Sequence, residues 1–267
     1  MNYSESDIRF LVIAGIAIML LLVISILIIM VINQKKKSDL QLEMGDLKER
    51  QQNMLIEGAI RSEEGERHRI AEQLHDEVGA ILSSARLHFS NIKENSLDER
   101  DTGLFDKSKL LLDDAIQKVR GISHNLHSTL LKEFGLNEAI THFLNKTIQG
   151  TLINVEVNLD ETYLIQNPQT DLGVYRIIQE LINNALKHAK ANYIKISTKM
   201  EKEILNLKIC YNGNGLSQQQ FEELRYKPEG LGLKNIMNRI ILLKGNIQYD
   251  KSEKETCITL SIPTMTE

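Results

Sequence analysis

The chain has 267 residues, with 32 lysines and arginines against 36 aspartates and glutamates, a formal charge of -4. That length holds one large domain or two small ones. The mild acidity argues against direct nucleic-acid binding, which calls for a basic surface.

Residues 10–32 carry no charge, and Ser25 is their main polar break. As a helix they rise roughly 35 Å, enough to cross a hydrocarbon core of about 30 Å. A cleaved signal peptide would have a shorter apolar region, about 7–15 residues, behind a basic start. Here the preceding segment holds Glu5 and Asp7 against Arg9. The reading is therefore a retained single-pass transmembrane helix, residues 10–32, behind a short extracytoplasmic tail, residues 1–9, too small to fold. Lys35, Lys36 and Lys37 follow at once, so the positive-inside bias places the rest in the cytoplasm, at the inner (cytoplasmic) membrane. An external signal would have to be sensed within the membrane or through a partner.

Residues 33–65 read as a helical connector, polar and helix-prone, with a broken stripe of Leu40, Leu47, Met54, Leu55, Ala59 and Ile60. Gly45, Gly58 and Gly65 each cost about 1 kcal/mol relative to alanine, which predicts a connector prone to kinking. Residues 66–133 follow a bundle pattern. Ile70, Leu74, Val78, Ile81, Ala85, Phe89 and Ile92 recur at spacings of three and four, the seam of a coiled coil or bundle. The turn-rich "KENSLDERDTG" interrupts it, and a second stripe runs through Leu112, Ile116, Val119, Ile122, Leu126 and Leu130. Two such helices make an antiparallel hairpin. One hairpin has too little core to stand alone; two from a homodimer make a four-helix bundle.

Beside that seam stand His75 and Asp76, which a bundle does not need. His68 lies two turns away, about 10.5 Å, too far to share one metal. His124 and His127 have a chelating spacing but no acidic or cysteine companion, so packing or capping is the expected role.

Residues 134–267 change character. A helix from Leu136 to about Gln149 leads to the alternating strand "INVEVNL", and Pro168 opens a helix over Asp171–Ala189. "YIKISTKM" and "ILNLKICYNG" form a hairpin around Glu201–Glu203. A glycine-punctuated loop, a helix over Leu233–Lys244 and the strands "NIQYD" and "TCITLSI" complete an α/β sandwich. Cys210 and Cys257 sit in apolar strand runs with no CxxC spacing. A disulfide framework and a zinc site are not indicated, and buried thiols are expected.

Within this region Glu180, Asn184 and His188 fall four residues apart on one helix face, with Lys187 alongside. Alone, such a face is more often merely solvated. It also suits a magnesium–phosphate site, since Mg²⁺ takes oxygen ligands and an asparagine carbonyl can be one. The glycine pairs Gly213 and Gly215, in "YNGNGL", and Gly230 and Gly232, in "EGLGLKN" ahead of Leu233, let the backbone approach a ligand. A helix N-terminus behind them attracts phosphate.

"ERHRIAEQLHDEVGAIL", "ELINNALKHA", "NGNG" and "GLGLKNI", in that order over roughly residues 57–263, resemble the sensor histidine kinases of bacterial two-component systems. The likeness is to the class with a His-Asp pair on its dimerisation helix, whose partners are response regulators with a helix-turn-helix output domain. The resemblance implies that His75 is the phosphoacceptor with Asp76 as its proton partner, and that the C-terminal domain is a Bergerat-type ATP-binding sandwich. It implies ATP and Mg²⁺ as cofactors, Asn184 as the metal ligand, and Glu180, Lys187, His188, Gly213, Gly215, Gly230, Gly232 and Leu233 around the nucleotide. Arg239 stands where the family often has an arginine after the second glycine box. The implied partners are a second copy and the receiver domain of a cytoplasmic response regulator.

A neutral imidazole nitrogen is a competent nucleophile, and an adjacent carboxylate can orient the ring and take its proton. Two positions depart from the family. Tyr211 replaces the aspartate that usually accepts a hydrogen bond from the adenine amino group, which leaves adenine recognition open. Ala80 replaces a glutamine that often places water for phosphatase activity. The rival readings are a dimeric pseudokinase or signalling adaptor with impaired ATP binding, and a coiled-coil membrane scaffold. The scaffold fits residues 10–130 and leaves the glycine loops unexplained.

Overall fold

The computed structural model describes residues 5–91, 99–126, 129–163 and 167–264. The chain divides into two units, Met1–Leu55 and Ile56–Glu267. The first is helical, part of α1 (Glu5–Gln73). Leu21 and Ile26 are 67% and 63% exposed, and the other described apolar side chains over Met19–Ile32 are exposed too. By length and composition this helix could cross a membrane. Gly45 in the first unit and Gly58 and Gly65 in the second are each helical.

In the second unit the helical path widens into one π-helical turn at Leu74–Val78, then resumes as α2 (Gly79–Ser90). Helix α3 (Glu99–Leu126) returns beside it. Ser123 Oγ donates to the Ala71 carbonyl at 2.9 Å, Arg86 pairs with Asp113 and the Phe89 ring stacks on Phe105. As one number rises the other falls, so the hairpin is antiparallel. Ala71, Phe105 and Ile116 are buried within it, whereas Ile81 (68% exposed), Leu87, Leu110 (70%) and Leu111 face outward. The seam is thus only partly covered by its own hairpin.

Helix α4 (Thr129–Ile148) breaks direction at Gly135, whose backbone is non-helical. Then come β1 (Asn154–Asn158), α5 (Pro168–Lys187), β2 (Tyr193–Glu201), β3 (Ile204–Tyr211), α6 (Gln218–Leu224), α7 (Leu231–Leu242), β4 (Asn246–Lys251) and β5 (Thr256–Pro263). The mixed sheet has the order β1-β2-β3-β5-β4, parallel only between β1 and β2. The core joins Ile177, Ile178, Leu181 and Ile182 of α5 to Ile140 and Leu144 of α4, Ile236 and Ile240 of α7, and the inward residues of the sheet. Period two on the strands and period 3.6 on the helices select these faces.

Two sequence expectations are corrected. The loop between β3 and α7 contains α6, closed at its start by a capping box in which Ser217 and Gln220 exchange bonds. Cys210 and Cys257 are buried as expected, but they are joined as a disulfide. The antiparallel register sets them on one rung of β3 and β5, a juxtaposition that spacing along the chain does not reveal.

Candidate functional site

Helix α5 starts cleanly. Asn167 caps it by accepting from the Gln169 amide, and Pro168 fills its first turn, where a missing N–H costs nothing. Its apolar stripe is buried, which leaves Glu180, Asn184 and His188 along one edge. They line a cavity of about 300 Å³ together with Tyr211 of β3, Gly215, Gly230, Gly232, Leu233, Tyr249 of β4 and Ile258 of β5. Lys187 is exposed at the end of α5, and neither it nor Gly213 lines the cavity.

Gly213 shapes the wall from behind. Its φ is +96°, and an added Cβ would run into the Ala189 carbonyl, so only glycine fits without strain. Next to it Asn212 pins the loop: its Oδ1 accepts from the amides of Asn192 (3.0 Å) and Tyr193 (3.1 Å). Gly232, in the first turn of α7, lies directly against the Glu180 carboxylate, where a Cβ would strike Oε1. That closeness brings the start of α7 to the acid.

Three polar atoms here are buried without a hydrogen-bond partner: Asn184 Nδ2, Tyr249 Oη, and Thr256 Oγ1 beside Gly215. Asn184 and Tyr249 line the cavity and Thr256 stands behind Gly215. Buried polar groups are normally bonded, so the two orphans on the cavity wall suit a polar ligand. Burial pushes the Tyr211 hydroxyl up to about 12. Burial first, and then nearby Tyr211, raise Tyr249 further. Both phenols are therefore neutral. No protein bond among the described residues fixes which end of the half-buried Asn184 amide is oxygen. An amide with a free end beside a carboxylate fits Mg²⁺ held through oxygen and shared with phosphates.

His75 and Asp76 lie in the π turn, a geometry frequent at functional sites. His75 Nδ1 is 2.9 Å from Asp76 Oδ1, and the side chains are 72% and 75% exposed. Nε2 has no protein partner among the described residues. The pair opens on a groove of about 410 Å³, lined also by Gly79, Ala80 and Ser83, and by Val119 and Arg120 of α3. Every lining residue belongs to the hairpin. Arg120 escapes sequence reasoning because nothing distinguishes it from other charges on a helix surface. His68 pairs with Glu72 at 3.2 Å. The side chains of His124 and His127 lie outside the described residues. Arg239 does not line the cavity beside α5; it bonds Glu63 and Glu64.

Residues 66–131 match the family described as "Histidine kinase", and residues 169–266 match "Histidine kinase-, DNA gyrase B-, and HSP90-like ATPase". Sensor histidine kinase MctS of Rhizobium johnstonii is 26% identical, covering 78% of this chain and 45% of its own length. Oxygen sensor histidine kinase NreB of Staphylococcus carnosus is 25% identical over 79% and 60%. Sensor histidine kinase LiaS of Bacillus subtilis is 25% identical over 76% and 55%. The chain thus spans about half the length of the curated relatives it matches. Among solved structures, the Acinetobacter baumannii histidine kinase AdeS aligns at 22% identity over 70% of this chain and 95% of that one, with a TM-score of 0.41, too low to argue from.

Proposed function

Because this chain belongs to the sensor histidine kinases, we propose that it is a membrane-anchored homodimer that phosphorylates His75 from Mg·ATP and passes the phosphoryl group to an aspartate of a separate response regulator. The His75–Asp76 pair carries the reading. With Nδ1–H donating to Asp76, the lone pair of Nε2 is free and faces solvent. Nε2 attacks the γ-phosphorus, the bond from that phosphorus to the bridging oxygen breaks, and ADP leaves. The proton on Nδ1 passes toward Asp76, which also holds the ring in the reactive tautomer. Arg120, in the same groove, supplies positive charge for the phosphoryl oxygens.

In the other site, Asn184 would hold magnesium, which when bound screens the phosphate charge. The amides of the first turn of α7 would attract phosphates bound beside them, and Glu180, against Gly232, would orient the metal's water. The Ala80 methyl in the His75 groove cannot hold a hydrolytic water, so phosphatase activity is not part of the proposal. The full chain in lipid vesicles, given γ-labelled Mg·ATP, should acquire label that is labile in acid and stable in base, as a phosphoramidate is. Label stable in acid, or none, would overturn the reading.

Membrane anchoring rests on the exposed apolar stretch of α1, and pairing rests on the outward apolar stripe of the hairpin. Ile81 is 68% exposed in the single chain, so Ile81→Glu should leave the protomer folded. It should weaken pairing by at least about thirtyfold, the worth of a central interface anchor. Sedimentation of the detergent-solubilised protein checks this; an unchanged dimer would remove Ile81 from the interface.

Tyr211 bears on base selectivity. A site that must bond a polar group rejects analogues lacking it, because its own atoms go unpaired. A phenol in place of a carboxylate weakens that penalty, so the wild type should distinguish ATP from GTP poorly. Tyr211→Asp restores a charged acceptor, worth about 1.5–3 kcal/mol, and should tighten ATP binding by roughly ten- to a hundredfold. The same carboxylate could accept from the orphaned Tyr249 hydroxyl. Titrating both proteins with both nucleotides decides; a wild type that already prefers ATP strongly, with nothing gained on substitution, would show the phenol to be adequate.

A further inference from the structure

Two buried arginines of the ATPase region are spent on neither nucleotide nor core. Arg176 of α5, with its side chain 4% exposed, grips both carboxylate oxygens of Glu64 on α1. Nε lies 3.0 and 3.1 Å from them and Nη2 lies 2.9 Å from Oε2. Its Nη2 also donates to the Leu126 carbonyl at the end of α3, at 2.8 Å. Arg239 of α7, 6% exposed, reaches Glu63 and Glu64 at 3.0 Å each. These bonds tie the ATPase region to the helix that bears His75, but at the wrong place for chemistry. Glu63 and Glu64 lie roughly 16–18 Å of helix before His75, and no ATPase residue lines the His75 groove.

The contact is also loosely packed. Cavities of about 290 Å³ and 470 Å³ flank it, the first between Glu63, Arg67 and Ile122 on one side and Arg176 and Asn235 on the other, the second between Glu57 and Arg61 and the facing Leu243. Both are clefts open to solvent, so water reaches the rim of the contact. Charge, more than packing, holds this interface. Attraction between buried charges is largely offset by their lost hydration, so separation returns most of what it breaks to water. That balance suits a contact made to open and close.

We propose that Glu63, Glu64, Arg176 and Arg239 form a latch that holds the ATPase region in a resting position, and that the latch opens before His75 is phosphorylated. The inference rests on the kinase reading above. Because both acceptors sit on α1, a rotation of that helix carries them away from the arginines together. The four residues are positioning residues; none touches the reacting atoms.

The test uses the full chain in lipid vesicles. E63Q/E64Q changes only the helix side and spares the ATPase core. It should raise the autophosphorylation kcat by roughly tenfold, within the usual range of coupling between sites, with KM for ATP unchanged. Melting temperature and dimer state should stay close to wild type. Amide hydrogen exchange should quicken over residues 57–71 and over α7, which reports undocking without any activity. E64R/R176E, which restores opposite charges across the same gap, should return both readouts toward wild type. Unchanged or slower labelling by E63Q/E64Q, in an intact dimer that still binds ATP, overturns the latch. Unchanged exchange does the same even where no label is transferred, whereas absent labelling in the wild type counts against the kinase reading alone.

Discussion

Replacing His75 with alanine should abolish transfer of γ-label to the protein while the dimer and Mg·ATP binding persist. The side chain is 72% exposed and bonds only Asp76 among the described residues, so its removal opens no cavity and leaves no buried group unpaired. The loss is therefore chemical. Asp76→Asn separates orientation from proton transfer. Its carbonyl can still accept from Nδ1–H and hold the ring, but it cannot take the proton, so the rate should fall by about 10²–10⁴. Timed labelling of the three proteins at saturating ATP measures both effects. Label surviving His75→Ala would move the phosphoacceptor elsewhere, and an unchanged rate in Asp76→Asn would remove that residue from the mechanism.

Asn184→Ala should remove the Mg²⁺ dependence of ATP binding. The buried stripe of α5 is untouched and the lost amide has an orphaned Nδ2, so folding should survive. Calorimetric titration with and without Mg²⁺ should show a gain for wild type and none for the variant. Glu180→Gln should cost less, about 10–100-fold, as groups behind a metal's own ligands do. Glu180 also borders the first of the two cavities beside the latch arginines, so it stands between the nucleotide and the docking contact. Negligible effects from both substitutions would favour an adaptor that uses no nucleotide.

The parts of this molecule legible in its sequence are those with local causes. The hairpin seam, the strands of period two and the cap and proline ahead of α5 are set by neighbours a few residues away. So is the face that carries Glu180, Asn184 and His188 to the cavity. The Ser217–Gln220 capping box was readable too, but the glycines on either side made the stretch look like open loop. What escaped depends on residues far apart in the chain. Tyr249 and Ile258 reach the cavity from the last two strands, and only the strand order brings them to α5. The union of Cys210 with Cys257 follows from register, which a single residue of slippage would have undone. Arg176 sits in a helix that otherwise reads as apolar and polar faces in order, and its partner Glu64 is one of several acids in a charged run. No spacing rule connects them.

The outward stripe of the hairpin, with Ile81, Leu87, Leu110 and Leu111, has a genetic consequence. None of the four lines the cavity beside α5 or the His75 groove, so a chain crippled at either proposed site should still find a partner. On the proposed pairing, a cell expressing two damaged alleles, one lacking His75 and one lacking Asn184, should form mixed dimers along that stripe. Each contains one intact nucleotide site and one intact histidine, on different chains. Signalling returns in such a cell if the phosphoryl group crosses between chains, and stays absent if each chain serves only itself. The direction of transfer thus becomes a matter of allele complementation.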